Sequence, residues 1–260
     1  MVFDPCSIQK FQKGRGCLPR EFTKQITVIE PECDITKRMS LANIMRHAQQ
    51  MGSYHLHEVG IGYNRMYEDG MVFIVSKMLI TIHRRPGFDE PLLLTTVPKK
   101  PKGAQFIRDT YFDTISGERL VEVSIAWLLV DPQEHKILRP SKFDRYGIEM
   151  FPNDGEYITG YRIRRPEGPG ERHLRQVKYS DLDYNFHVNN AIYSNIVCDL
   201  VPLEILLERE IASFGILYQK EARAGQVIDL ELVCAEDGDT FYVGGRLGEA
   251  RCFESEIKFR

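Results

Sequence analysis

Two stretches of this 260-residue chain, 149 positions apart (183 minus 34), share one local plan. Asp34-Ile-Thr36-Lys-Arg38-Met-Ser40 and Asp183-Tyr-Asn185-Phe-His187-Val-Asn189 each lead into a segment with apolar residues at helical spacing. In the first segment Leu41, Ile44, Met45, Ala48 and Met51 fall at i, i+3, i+4, i+7 and i+10 behind Ser40, a good N-cap, and Gly60 lies shortly past the end. In the second, Ile192, Ile196, Leu200, Leu203 and Leu207 run behind Asn189, and Pro202, which has no N–H, predicts a kink or a split. The same order of elements twice over constrains the chain to two diverged copies of one unit, the signature of a tandem duplication.

Beyond each helix the chain reads as strands. Val72 to Ile82, Gln105 to Asp113, Leu120 to Val130, Phe214 to Glu221, Val227 to Glu236, Thr240 to Leu247 and Cys252 to Phe259 are rich in β-branched and aromatic residues, several of them alternating apolar with polar. Ser116-Gly117 and Asp237-Gly238 punctuate successive runs as hairpin turns, so the sheet is expected to be mostly antiparallel. One long helix wrapped by an antiparallel sheet resembles a hotdog domain, and two in one chain predict an α+β tandem double hotdog. The expected units are residues 1–145 and 146–260, joined through the Pro-, Gly- and charge-rich stretch from Arg139 to Pro169, which includes Asn153-Asp154-Gly155.

Lys+Arg 34 against Asp+Glu 37 gives a net charge of -3, so no global field favours nucleic acid or an anionic bilayer. The most apolar run, Leu120 to Val130, is broken by Glu122 and Ser124 and is far short of a membrane span. The first twenty residues lack the apolar core of a secretory signal and fit a transit peptide poorly. Cys6, Cys17, Cys33, Cys198, Cys234 and Cys252 form no CxxC and no metal-finger spacing, which points to reduced thiols and a cytoplasmic location.

The densest polar cluster is Ser180 to Asn190, six of whose eleven residues are Asp, Asn or His. Read as an extended loop, it turns Asp183, Asn185 and His187 one way while Leu182, Tyr184, Phe186 and Val188 anchor the other face. The bland alternative is a turn with Asn189 as cap and Asp183 in an Asx-turn. In the first copy Thr36 and Arg38 stand at the Asn185 and His187 positions, so the turn alone does not require those side chains. Asp183-Tyr-Asn185-Phe-His187-Val-Asn189-Asn190 resembles the Asp-x-Asn-x-His-Val-Asn-Asn signature of acyl-acyl-carrier-protein thioesterases. The likeness extends to Ala191-Ile-Tyr193, Tyr218-Gln-Lys-Glu221, Ser40-Leu41, His55-x-x-Glu58-Val-Gly60-Ile-Gly62 and Trp127-Leu-Leu-Val-Asp131.

The resemblance implies a double hotdog that hydrolyses fatty acyl-carrier thioesters in fatty-acid biosynthesis, with Asp183, Asn185, His187 and Glu221 as catalytic residues and no cofactor or metal. Plant members carry a Cys directly after that Glu; here the position is Ala222, and Cys198 is best read as a small buried hydrophobe. Thioester hydrolysis needs an activated water, an oxyanion site and a thiolate that leaves readily. Glu221 or Asp183 is the expected base, with His187 holding the water; covalent attack by Asp183 is a further alternative. The N–H groups of the helix beginning near Asn189 and Asn190 are the expected oxyanion donors. Unaided by the resemblance, Glu221 reads first as a surface partner of Lys220 or Arg223.

His55 and His57 diverge by about 200° on a helix and do not share an ion. Lys99-Lys-Pro-Lys102 and Arg162, Arg164, Arg165, Arg172, Arg175 and Lys178 read singly as a solvated face, and as a group they form a candidate surface for an acidic acyl carrier protein and its phosphopantetheine. The first half is the expected acyl-binding part, with Met45, Met51, Met71, Phe73 and Met78 as candidate lining residues. An acyl-CoA substrate and a non-catalytic acyl binder are the competing functions, and the assembly is expected to be a monomer or a homodimer.

Overall fold

The computed structural model describes residues 20–153 and 157–260; Cys6, Cys17 and Asp154-Gly155 of the connector lie outside them. Its elements are β1 (Phe22–Thr27), α1 (Leu41–Glu58), α2 (Tyr63–Glu68), β2 (Val72–Ile82), β3 (Pro91–Lys102), β4 (Gln105–Thr114), β5 (Arg119–Val130), α3 (Tyr157–Gly160), β6 (Glu171–Gln176), α4 (Ile192–Leu200), α5 (Leu203–Glu208), β7 (Ile211–Tyr218), β8 (Val227–Cys234), β9 (Thr240–Leu247) and β10 (Ala250–Phe259). The strands form one antiparallel sheet in the order β1-β3-β4-β5-β2-β7-β10-β9-β8-β6. Exchanging each strand for its counterpart five places along the chain reverses this order, so the two halves are related by a pseudo-two-fold axis at the β2–β7 seam.

Local sequence accounts for the helices. Ser40 caps α1 by accepting the Asn43 N–H at 3.3 Å, and the stripe Leu41, Ile44, Met45, Ala48 and Met51 is buried against the sheet. Burying each Leu, Ile or Met stabilises by roughly 1.5–3 kcal/mol, so this stripe seats α1 firmly. In the second copy the helix divides at Pro202 into α4 and α5, as the missing N–H requires.

The duplication persists in the backbone hydrogen bonds before each helix. Asp34 N–H donates to Arg38 O at 2.9 Å, and Asp183 N–H to His187 O at 2.9 Å. Thr36 N–H donates to Asp34 Oδ1 at 2.9 Å, and Asn185 N–H to Asp183 Oδ1 at 2.8 Å. Lys37 and Phe186 occupy matching left-handed positions, φ 58° and 63°. Met39 N–H reaches Pro86 O and Val188 N–H reaches Ala222 O, which makes Arg85 the positional counterpart of Glu221.

Three strands escape the alternation rule. β3 holds Pro91, Pro98 and Pro101 and becomes irregular between Lys99 and Lys102, while β1 and β6 are polar edge strands. The connector packs instead of hanging free. Phe143 packs edge-to-face against Phe73 and Phe106 with ring centroids 5.2 and 5.4 Å away. Ile158 is buried against Ile107 and Ala126, and Tyr161 lies over Gly215, where a Cβ would collide with its ring. No helix among the described residues is long and apolar enough to cross a membrane.

Candidate active site

The polar cluster is a tight turn, not an extended loop. A 3-10 turn, Tyr179–Asp181, comes first, and Arg175 clamps it by donating to both oxygens of Asp181 at 2.8 and 2.9 Å. The chain then reverses at Asp183, through the left-handed Phe186, to His187. Tyr184 and Phe186 are 76% and 77% exposed rather than anchoring, because positive φ at Phe186 turns this part of the loop outward. The anchors are Val188, which is buried, and Leu182, which is partly buried.

The expected polar side chains nevertheless face one space. Asp183, Asn185, His187 and Glu221 all line a cavity of about 1450 Å³. His187 Nε2 and Glu221 Oε2 are 3.0 Å apart, with the His side chain 23% and the Glu side chain 57% exposed. Glu221 does not lie on a strand: β7 ends at Tyr218, and the loop after it is held by Gln219 and Lys220 N–H groups donating to Cys252 O at 2.9 and 3.1 Å. Asp183 uses Oδ1 to shape the turn, so part of its capacity is structural.

Helix α4 begins at Ile192, later than the sequence suggests, because Asn189 Oδ1 accepts the Ala191 N–H at 3.0 Å and Ile192 N–H bonds Asn189 O at 2.9 Å in a preceding turn. Asn189 N–H is taken by Asp181 O. The Asn190 N–H has no acceptor among the described residues, while Asn190 Nδ2 donates to Gln49 Oε1 of α1 at 3.2 Å and Tyr218 Oη donates to Asn190 O at 2.9 Å. Burial pushes the phenol of the partly buried Tyr218 up, so it stays a donor.

Beyond the turn the cavity runs into the first half. Of the five expected lining residues, Met51 and Phe73 line it, whereas Met45, Met71 and Met78 are buried in the hydrophobic cores. Met66, Phe106, Trp127 and Phe143 complete its apolar wall. Arg108, which sequence reasoning missed, also lines it: Nη1 lies 3.2 Å from His55 Nδ1 and 3.3 Å from Thr96 Oγ1, and burial pushes the guanidinium down to about 10. A signal existed in the charged Arg108-Asp109 pair within an apolar strand. His55 lies on the buried face of α1 and His57 on its exposed face.

The basic residues Arg162, Arg164, Arg165, Arg172, Arg175 and Lys178 do not line this cavity. Arg165 pairs with Glu231 and Arg172 with Asp229, at 3.2 and 3.5 Å, and Arg162 donates to Thr159 O and Tyr161 O. At the cavity itself stand exposed Lys24, Arg46, Lys220 and Arg223. Cys198 lines a different cavity, and burial pushes its thiol up to about 12.

The architecture and cavity define a double hotdog protein with a carboxylate–imidazole pair at the junction of its halves. The acyl-ACP thioesterase N-terminal domain matches residues 19–142 and the C-terminal domain residues 165–245, so the chain belongs to the acyl-ACP thioesterase family. It is 24% identical over 221 residues to the chloroplastic acyl-[acyl-carrier-protein] hydrolase FATB2 of Cuphea viscosissima, covering 80% of this chain and 54% of that protein. It is 23% identical over 221 residues to a chloroplastic palmitoyl-acyl carrier protein thioesterase of Cuphea hookeriana, with 80% and 53% covered. The chain thus spans about half the length of the curated relatives it matches. Among solved structures, the 12:0-ACP thioesterase from Umbellularia californica superposes with a TM-score of 0.83 at 18% identity, covering 94% of this chain and 99% of that one. An acyl-ACP thioesterase from Bacteroides thetaiotaomicron gives 0.80 at 20%, with 93% and 98% covered.

Proposed function

We propose that this chain hydrolyses the thioester of a fatty acyl group carried on an acyl carrier protein, releasing free fatty acid and holo-carrier in fatty-acid biosynthesis. The observation that carries this reading is the His187–Glu221 pair, 3.0 Å apart, facing a cavity with a polar end at the catalytic turn and an apolar wall in the first half. Glu221 takes a proton from a water as the water oxygen adds to the thioester carbonyl carbon, and His187 fixes the orientation of that carboxylate and water. The oxyanion so formed accepts from the Asn190 N–H, with Asn189 and Asn185 shaping the turn around it. The C–S bond then breaks, the thiolate leaves, and the proton returns to it. Asp183 holds the turn, and the loss of the hydrolytic pair in the first half leaves that half to bind the acyl chain.

The phosphopantetheine arm enters beside Arg46, Lys220 and Arg223, which are exposed at the cavity and hold no ion pair among the described residues. Of the Arg162 to Lys178 group, Arg172 on the edge strand β6 and Lys178 just after it lie outside the cavity and serve as an outer docking surface for an acidic carrier, whereas Arg175 is engaged by Asp181. The free thiols of Cys33, Cys198, Cys234 and Cys252 support a reducing, cytoplasmic location. Thiol release from matched acyl-carrier and acyl-CoA thioesters tests the substrate reading. A kcat/KM at least tenfold higher for the carrier thioester is expected; a preference for CoA assigns the chain to the acyl-CoA hydrolases, and tight acyl binding without turnover makes it a binder.

A further inference from the structure

The first-half turn has kept its backbone and reversed its chemistry. At the pseudo-two-fold mate of the candidate active site lies a second cavity of about 680 Å³, lined by Asp34, Thr36 and Arg85. Helix α4 borders it through Asn195 and Cys198, just as α1 borders the first cavity through Arg46 and Gln49, the residues 149 positions earlier. Arg85 stands where the mate has Glu221, and Arg38 stands where it has His187. A guanidinium takes no proton from water at any ordinary pH, so this copy does not hydrolyse; it presents donors instead.

Those donors are underused. Arg85 is only 3% exposed, and its hydrogen bonds go from Nη1 to Asp34 Oδ2 and from Nη2 to Thr36 Oγ1, the latter at 2.9 Å. Its Nε is buried and has no acceptor among the described residues, an arrangement that is costly to leave unmet. Arg85 and Lys37 balance Asp34 and Glu30 around the cavity, so its attraction for an anion rests on directed N–H groups rather than on a net field. Apolar groups supply the rest. Leu206 and Ile211 line the interior, and Ile35, Phe88 and Leu203 stand 72%, 56% and 53% exposed about it, more apolar surface than a closed structural turn requires.

We propose that this cavity is a second ligand site, for an aliphatic carboxylate, with the carboxylate on Arg85 and the chain along Leu203, Leu206 and Ile211. Such an acid is the class of product released at Glu221, and for that identity the inference rests on the proposed hydrolysis. The size suits it: ligand cavities commonly span about 300–1,000 Å³. Arg85 is a binding residue here and has no part in the hydrolytic step.

Equilibrium dialysis of radiolabelled dodecanoate, below the concentration at which it forms micelles, tests this on the full chain. Wild type is expected to bind two dodecanoates, one in each cavity. Arg85→Gln and, separately, Phe88→Glu are expected to weaken one site at least tenfold while hydrolysis rates stay unchanged. Phe88 is exposed, so its variant keeps the test informative if loss of the Arg85–Asp34 pair unfolds the chain. Dodecyltrimethylammonium, with the same tail and a cationic head, is expected to leave the Arg85-dependent site occupied by dodecanoate. Dodecanoate binding, at one site or two, that is unaltered in both variants, or equal competition by the cation, would overturn the proposal. If wild type hydrolyses no acyl thioester yet binds dodecanoate in an Arg85-dependent way, the hydrolase reading fails and this site stands.

Discussion

Replacing Arg175 with Met separates a structural ion pair from a docking surface. Arg175 sits on β6 and donates from both terminal nitrogens to Asp181, whose side chain is 6% exposed against 27% for the arginine. Removing one partner of a buried pair costs about 3–5 kcal/mol. Water reaches the Arg175 head and screens part of that, and the Lys178 N–H continues to donate to Asp181 at 2.8 Å, so about 2 kcal/mol is expected. For a domain of this length that lowers Tm by about 4–8 °C. The sign with pH is set by the carboxyl. The Arg175 hydrogen bond, reinforced by the Lys178 N–H and opposed by burial, holds Asp181 below the usual carboxylate range. Its contribution is therefore fully present above the ordinary Asp value near 4 and fades as the pH falls through the lowered folded value. Thermal melts of wild type and Arg175→Met at pH 7 and pH 3 check this: the gap should be widest at pH 7 and narrow at pH 3. A Tm within 1 °C of wild type at pH 7, or a gap that does not narrow in acid, would refute the reasoning. Because Asp181 O also accepts the Asn189 N–H, the variant should lose turnover on acyl-carrier and acyl-CoA substrates alike. A loss confined to the carrier substrate would assign Arg175 to docking.

Other variants probe other parts of the molecule. Cys198→Ala should keep turnover within about twofold, since its partly buried thiol is pushed up to about 12 by desolvation and lines the other cavity; abolished activity in a folded variant would rule out water activation at Glu221. Gly215→Ala should lower the urea midpoint by an amount equal to about 1–3 kcal/mol, because its Cβ would collide with the Tyr161 ring that closes the β2–β7 seam. Arg108→Met should change the acyl-chain-length profile in a thiol-release assay, because this guanidinium lines the same cavity as Met51 and Phe73. An unaltered profile would place Arg108 outside the acyl path.

The parts of this fold legible in sequence are those with strong local periodicity. The Ser40-capped stripe marks α1, Pro202 divides the second helix, and Val72–Ile82 and Thr240–Leu247 are evident from β-branched and aromatic content alone. β3 was not legible because Pro98 and Pro101 argue against a strand, yet the partners β1 and β4 hold it in the sheet. The site was legible in its residue types and less so in its geometry. Asp183, Asn185, His187 and Glu221 share a cavity, but a left-handed residue at Phe186, which no alternation pattern signals, is what brings them together. Arg85 is silent in the sequence for a different reason. Its correspondence to Glu221 appears only through matching hydrogen bonds to Pro86 O and Ala222 O, since insertions shift the register between the two copies.

The most direct test of hydrolysis by a Glu221-activated water is the turnover of Glu221→Gln on an acyl-carrier thioester beside that of wild type. Gln keeps the shape and a hydrogen bond toward His187 but takes no proton from water, and at 57% exposure the change leaves folding untouched. A fall in kcat/KM of about 10²–10⁴-fold with Tm unchanged is the predicted result. A folded variant that retains more than a tenth of wild-type turnover would contradict it.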